Sequence, residues 1–267
     1  MKRAKPDRQD AGLPGLASEL AYNTIVDLIL CRDLRAGERT SVNLLASRLR
    51  LGRTPIKEAI TRLQAEGVLS VAGRSGTTVN TIGAAEAAQL FALRRTLEEF
   101  AADFAVKNVT QRQISRLRKL LKEMAVTSIG KAAEDTRAAA RFVRANVAFH
   151  ATLLGAAGNP FLDRLYGQLQ LQAQIMTYLL HRGFDPAAAK KRQREHEGIV
   201  AALVLGNAGL LKQRLRSHAA GTEAVILRSL EGSASAERAR RGRTNPARTA
   251  RSAIRSAHKR PDARRTS

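Results

Sequence analysis

A chain of 267 residues with 44% hydrophobic content can build the core of one large domain or two smaller ones, which excludes wholesale disorder. Its one cysteine, Cys31, rules out an internal disulfide framework, and no apolar run approaches the ~18 residues needed to cross a membrane. With 46 Lys and Arg against 23 Asp and Glu, the formal net charge of +23 predicts a cytoplasmic protein, without membrane association, whose partner is a polyanion.

The charge is uneven along the chain. Residues 1–17, read as a flexible arm, hold four basic and two acidic groups, and residues 18–82 hold nine and six. Residues 83–232 hold 22 and 13, whereas the 35 positions of 233–267 hold eleven and two. That last segment combines Arg, Ser, Ala and Thr with little aliphatic content, and reads as a disordered basic tail. Such a tail either displaces counterions from phosphates without reading bases or serves only as a solubilising extension. Specificity has to come from elsewhere.

From Ser18 to about Thr81 the pattern predicts three short helices and two strands. Ser18 is placed to cap a helix carrying Ala21, Ile25, Leu28 and Ile29 at helical spacing, and Leu34-Arg35-Ala36-Gly37 ends it. Val42, Leu45, Ala46 and Leu49 mark a second helix, broken at Gly52. A third opens through Thr54-Pro55, where proline is tolerated because first-turn amides lack helical partners, and buries Ile56, Ala59, Ile60 and Leu63. Two helices joined by a short glycine turn, the second opening on cations, fit a helix-turn-helix. Arg53 and Lys57, four apart, project from the end that enters a major groove, and Thr54 can donate to a phosphate. Gly67–Val71, a glycine-bracketed turn and Thr77–Val79 predict a β-hairpin with Arg74 at its tip, a basic wing suited to phosphate or minor-groove contact.

From Ala84 to Leu230 helical periods dominate, with helices expected near 86–107, 111–127, 131–156, 160–182, 187–206 and 208–230. Three histidines, His150, His196 and His218, fall on separate helices, and Asn146 lies one turn before His150 on the same face. Imidazoles on facing helices suit a divalent ion, but a lone histidine on a helix is more often structural or exposed, and three within 69 residues can arise by chance. The fold class expected is therefore mainly α: a winged helix-turn-helix over 18–82 with a small β-hairpin, then an antiparallel all-α bundle over 83–232.

The stretch Arg53-Thr54-Pro55-Ile56-Lys57-Glu58-Ala59-Ile60, followed by Leu63-Gln64-Ala65-Glu66-Gly67, resembles the winged helix of GntR-family bacterial transcription regulators. Gly52 stands where that family usually has Ser, weakening the N-cap, and Lys57 replaces an Arg, keeping charge but losing the planar fork. Further on, Phe91–Glu98, Asn146–His150, Gly158-Asn159-Pro160, Glu195–Ile199 and Ser217-His218 resemble the FCD effector domain of the FadR subfamily. The resemblance implies a homodimer on a double-stranded DNA operator, more often a repressor, whose bundle senses a small organic acid. It also implies a divalent metal (Zn, Ni or Mn) held at Asn146, His150, His196 and His218, with Asn146 replacing the family's Asp. An amide carries no charge, so an anionic effector would complete the site, Asn146 beside it; an empty or water-filled pocket is the alternative. Arg94 is the candidate for a second effector carboxylate contact, or else the i,i+4 ion-pair partner of Glu98. No enzyme is expected: the chain has no nucleophile elbow, phosphate loop or His-Glu-x-x-His motif, and Glu195 and Glu197 flank His196 at positions a helix points away from the ligand direction. Non-specific nucleic-acid binding driven by the tail is the competing function, and metal-dependent hydrolysis, in which three His with an open metal position activate water, is the less favoured alternative.

Overall fold

The computed structural model describes residues 14–72, 76–127, 136–180 and 186–243, which hold nine helices and three short strands. Helix α1 (Pro14–Leu30) buries Ala21, Ile25 and Ile29, together with Tyr22, Val26 and Leu30. Ser18 is not its cap: the helix begins at Pro14, so Ser18 lies inside it and its hydroxyl donates to Glu58. The serine that does cap a helix is Ser41, whose Oγ accepts from the Leu44 N–H at 3.2 Å and opens α2 (Val42–Leu49). Arg50, in the left-handed region at φ 54°, turns the chain into α3 (Arg53–Ala65). Gly52 offers α3 no side-chain cap, and Ile56, Ala59, Ile60 and Leu63 are its buried stripe.

The hairpin forms from β2 (Leu69–Val71) and β3 (Thr77–Val79), antiparallel with Leu69 opposite Val79 and Val71 opposite Thr77. A third strand, β1 (Arg39–Thr40), pairs with the outer edge of β3, giving the order β1-β3-β2. Two residues leave no alternation to detect, so β1 is absent from the sequence expectation. Gly76 makes this junction feasible: its φ is +86°, and a Cβ there would stand 2.9 Å from the Thr40 carbonyl oxygen.

The second unit comprises α4 (Ala84–Asn108), α5 (Gln111–Thr127), α6 (Thr136–Gly155), α7 (Pro160–Leu180), α8 (Pro186–Val204) and α9 (Ala208–Arg243). Its core runs through Ala102, Leu117, Met124, Phe149, Leu153, Ile199 and Leu215. Helix α9 lies antiparallel to α4: Lys212 reaches Asp103, Arg216 reaches Glu99, Arg95 reaches Glu223, and Ile226 packs at Ala87 and Phe91. The helix continues to Arg243, so the boundary expected at 232 falls inside it; residues 244–267, like 1–13, lie outside the described residues.

The two units share a core. Ala140 and Val143 of α6 and Leu171 and Ile175 of α7 are buried in the same apolar cluster as Ile25, Ile56 and Val68. Among the described residues no helix is long and apolar enough to cross a membrane.

Candidate DNA-reading face and histidine centre

Arg53, Thr54 and Lys57 all lie exposed in the first two turns of α3, on the side away from its buried stripe. They make one surface, as their spacing requires, and their chemistry is that of base-edge and phosphate donors. Arg74, expected at the hairpin tip, lies outside the described residues.

Within the bundle, α6, α8 and α9 bring His150, His196 and His218 together. One ring nitrogen from each lies within 4.8 Å of the others, and their side chains are buried. The His196 and His218 ring centroids are 4.5 Å apart, and His150 stacks on His218 at 5.3 Å. Asn146, 6% exposed, is one turn before His150 on α6. Both ring nitrogens of His196 are buried without a hydrogen-bond partner. Burying such groups unpaired costs of order 1–3 kcal/mol each. Three convergent imidazoles, one wholly unsatisfied, are a donor set whose chemistry fits a divalent ion.

Beside the histidines sits a buried ion pair. Arg94 donates through Nε to Glu98 Oε1 at 2.8 Å, and both side chains are essentially inaccessible. The Arg94 Nη2 lies 3.1 Å from His150 Nε2, while Glu98 Oε1 is 3.3 Å from His150 Nδ1 and accepts from the Tyr166 hydroxyl at 2.5 Å. Burial is the largest single influence and opposes both charges of the pair, but the partner's charge together with the hydrogen bonds and charges of His150 and Tyr166 outweighs it, holding the Glu98 carboxyl well below and the Arg94 guanidinium above their usual ranges. Burial, then the Arg94 charge, pushes the His150 imidazole down to about 3. His196 is depressed by burial and by the neighbouring histidines, so both rings are neutral, the form that ligates metals. Arg94 therefore makes the ion pair weighed for it, but not that alone: its Nη1 is buried without a hydrogen-bond partner.

Three neighbours escaped the sequence reading. Glu195 does not point away from the centre: its Oε2 lies 2.9 Å from His218 Nδ1, backing that ring from outside. A carboxylate there fixes Nδ1–H as the donor and leaves Nε2 with the lone pair. Tyr166 comes from a helix 68 residues distant from Glu98, with no local signal. Gln170, one turn beyond Tyr166, is 1% exposed with neither amide atom hydrogen-bonded. A polar residue among the apolar positions of α7 was its only trace in the sequence.

Comparison with known proteins agrees with this architecture. Residues 17–79 match the family model described as bacterial regulatory proteins, gntR family, and residues 89–221 match the FCD domain. The HTH-type transcriptional regulator YdhC of Bacillus subtilis is 25% identical over 197 residues, covering 74% of this chain and 85% of that protein. A probable D-xylose utilization operon transcriptional repressor of Paenarthrobacter nicotinovorans is 27% identical, covering 66% and 74%. The solved structure of McbR/YncC from Escherichia coli shares the fold with a TM-score of 0.68 at 21% identity, over 79% of this chain and 97% of that one. A winged helix fused to a six-helix bundle, matched in order by both domain models, makes this chain a DNA-binding transcription regulator of the GntR family with an FCD domain, not an enzyme.

Proposed function

We propose that the protein is a homodimeric repressor whose α3 residues Arg53, Thr54 and Lys57, with Arg74 of the wing, read a double-stranded operator, and whose bundle senses a small organic acid through a metal held at Asn146, His150, His196 and His218. The observation that carries the sensing half is the buried trio of imidazoles in which His196 has no hydrogen-bond partner for either nitrogen. Zinc, nickel and manganese all suit neutral nitrogen and amide-oxygen donors. Once bound, the ion would supply positive charge in a site whose four ligands supply none, with Glu98 and Glu195 as the nearest carboxylates.

Arg94 gives the reading its chemistry. Its Nη2 now engages the His150 Nε2 lone pair at 3.1 Å, so ligation through that nitrogen requires the guanidinium to shift. The displaced N–H then joins Nη1, which already lacks a partner, and two N–H groups on a planar fork match a carboxylate. Gln170 supplies an amide that can donate or accept nearby on the Tyr166 face of α7. The dimer follows from the geometry of operators, where paired half-sites meet paired recognition helices. The printed name of the D-xylose relative favours repression.

The test is metal analysis of gently purified protein together with footprinting on the DNA flanking its own gene. We expect a bound divalent ion, a rise in melting temperature with Zn²⁺ that His196→Ala removes, and a discrete footprint that Arg53→Ala abolishes. No ion and no shift with Zn²⁺, Ni²⁺ or Mn²⁺ would reject the metal; absence of a discrete footprint would reject the operator-reading face.

A further inference from the structure

Helix α6 has two working faces. Ala140, Val143, Arg144 and Val147, spaced i, i+3, i+4 and i+7, meet the winged helix, where the first two are buried and Val147 packs against the same cluster. Asn146, Phe149, His150 and Leu153 have the same spacing roughly a third of a turn away, and all four are buried in the bundle. The helix that contributes Asn146 and His150 to the histidine centre is thus the one on which α1 rests.

Arg144 is the polar link on the first face. Its Nε donates to Asp27 Oδ1 at 3.1 Å, its Nη1 to Asn23 Oδ1 at 2.7 Å and its Nη2 to the Asn23 backbone carbonyl at 2.7 Å. Every nitrogen of the guanidinium is spent on two residues of α1, one turn apart. A planar fork held at three points fixes the direction of approach as well as the distance, which an apolar contact does not. Arg144 precedes Asn146 by two residues, a rise of about 3 Å along one hydrogen-bonded helix. No rotation or slide of α6 that re-aims Asn146 and His150 can leave Arg144 where it is.

We infer that Arg144 is the positioning residue through which occupancy of the histidine centre sets the placement of the winged helix. The inference rests on the reading of that centre as the sensing site. Occupancy draws on one face of α6, and the Arg144 fork passes the displacement to Asn23 and Asp27, hence to the helix on which α3 packs. Arg144 touches neither ligand nor DNA; it acts through α1.

The experiment is hydrogen exchange on the full-length protein, with Zn²⁺ alone as the probe, in the wild type and in Arg144→Met, which keeps an unbranched apolar stem and loses the fork. In the wild type Zn²⁺ slows exchange in α6 around residues 146–153 and changes exchange in α1 around residues 23–30, by about fivefold or more if the coupling is of ordinary size. In Arg144→Met the α6 response persists and the α1 response disappears; Arg144→Lys, which keeps the charge without the fork, restores only part of it. A residue that merely stabilised the interface would raise α1 exchange equally with and without Zn²⁺, and an undiminished α1 response in Arg144→Met would overturn the inference. Should Zn²⁺ leave α6 unchanged in the wild type, the metal reading fails, and the link is tested by perturbing the centre with His150→Gln. That substitution is expected to alter α1 exchange when Arg144 is present and not in Arg144→Met. An α1 that ignores His150→Gln with Arg144 in place would overturn the inference as well.

Discussion

Replacing Arg94 by Met removes one half of an ion pair whose two side chains are 1% and 0% exposed. The Glu98 carboxylate would keep the Tyr166 hydroxyl at 2.5 Å but lose the cation at 2.8 Å that holds its pKa down. Stranding a charge at such depth costs about 3–5 kcal/mol, well above the 0–1 kcal/mol of an exposed pair. The carboxyl escapes by taking up a proton, at about 1.4 kcal/mol for each unit its pKa climbs. Removing both charges, as in Arg94→Met with Glu98→Gln, leaves nothing stranded and should cost much less than the single change. The measurement is urea unfolding at pH 7 and fixed protein concentration, followed by circular dichroism because the chain has no tryptophan. The sign with pH is fixed as well. A carboxyl depressed in the folded state stabilises above its unfolded pKa and loses that contribution in acid, so the deficit of Arg94→Met relative to wild type should shrink as pH falls below about 4.5. A single substitution costing under about 1 kcal/mol, or a double variant as unstable as the sum of both singles, would refute the reasoning.

Two further outcomes follow. The His150 imidazole, down to about 3 from an ordinary 6.5, stays neutral in the fold while the unfolded chain takes a proton, so stability of the metal-free protein is full above about 6.5 and is lost as pH falls toward 3. Going from pH 7 to pH 5 should remove about 2 kcal/mol on account of this residue, with His196 acting in the same direction; a flat unfolding profile across that window would contradict a buried neutral ring. Gly76→Ala places a Cβ 2.9 Å from the Thr40 carbonyl oxygen at a φ of +86°, and should cost about 1–3 kcal/mol in thermal or urea unfolding. An unchanged midpoint would mean that β1 does not pair as described.

The parts of this protein written in local periodicity were legible. The buried stripe of α3 and the placement of the three histidines on separate helices depend on spacings of three and four residues, which the chain carries openly. Arg94 and Glu98, at i and i+4, were legible as a pair but not as a buried one, because burial depends on which helix covers them. What sequence could not supply was long-range: Tyr166 becomes part of the centre only because α7 meets α4 at Glu98. The orientation of Glu195 does not follow from its own helix alone. Glu195 does flank His196, but α9 approaches from that side and places His218 against it. Ser18 was assigned a cap from composition, whereas the helix started earlier at Pro14, and the 233 boundary followed a change in composition that α9 ignores up to Arg243. A helix can run on past a change in composition once its earlier turns are anchored.

The direction of α9 decides which end of the bundle its last turns reach. Because α9 runs against α4, its later turns climb toward the beginning of α4, and Leu227 and Leu230 pack in the cluster that includes Ile82, the connection to the winged helix. A helix of 36 residues is about 54 Å long, and it delivers Arg238, Arg240, Arg241 and Arg243 past that junction, not to the far pole of the bundle. Helix polarity alone therefore carries the last described turns of α9 toward the junction with the winged helix. Run in the opposite direction, the same helix would end at the other end of the bundle, away from that junction.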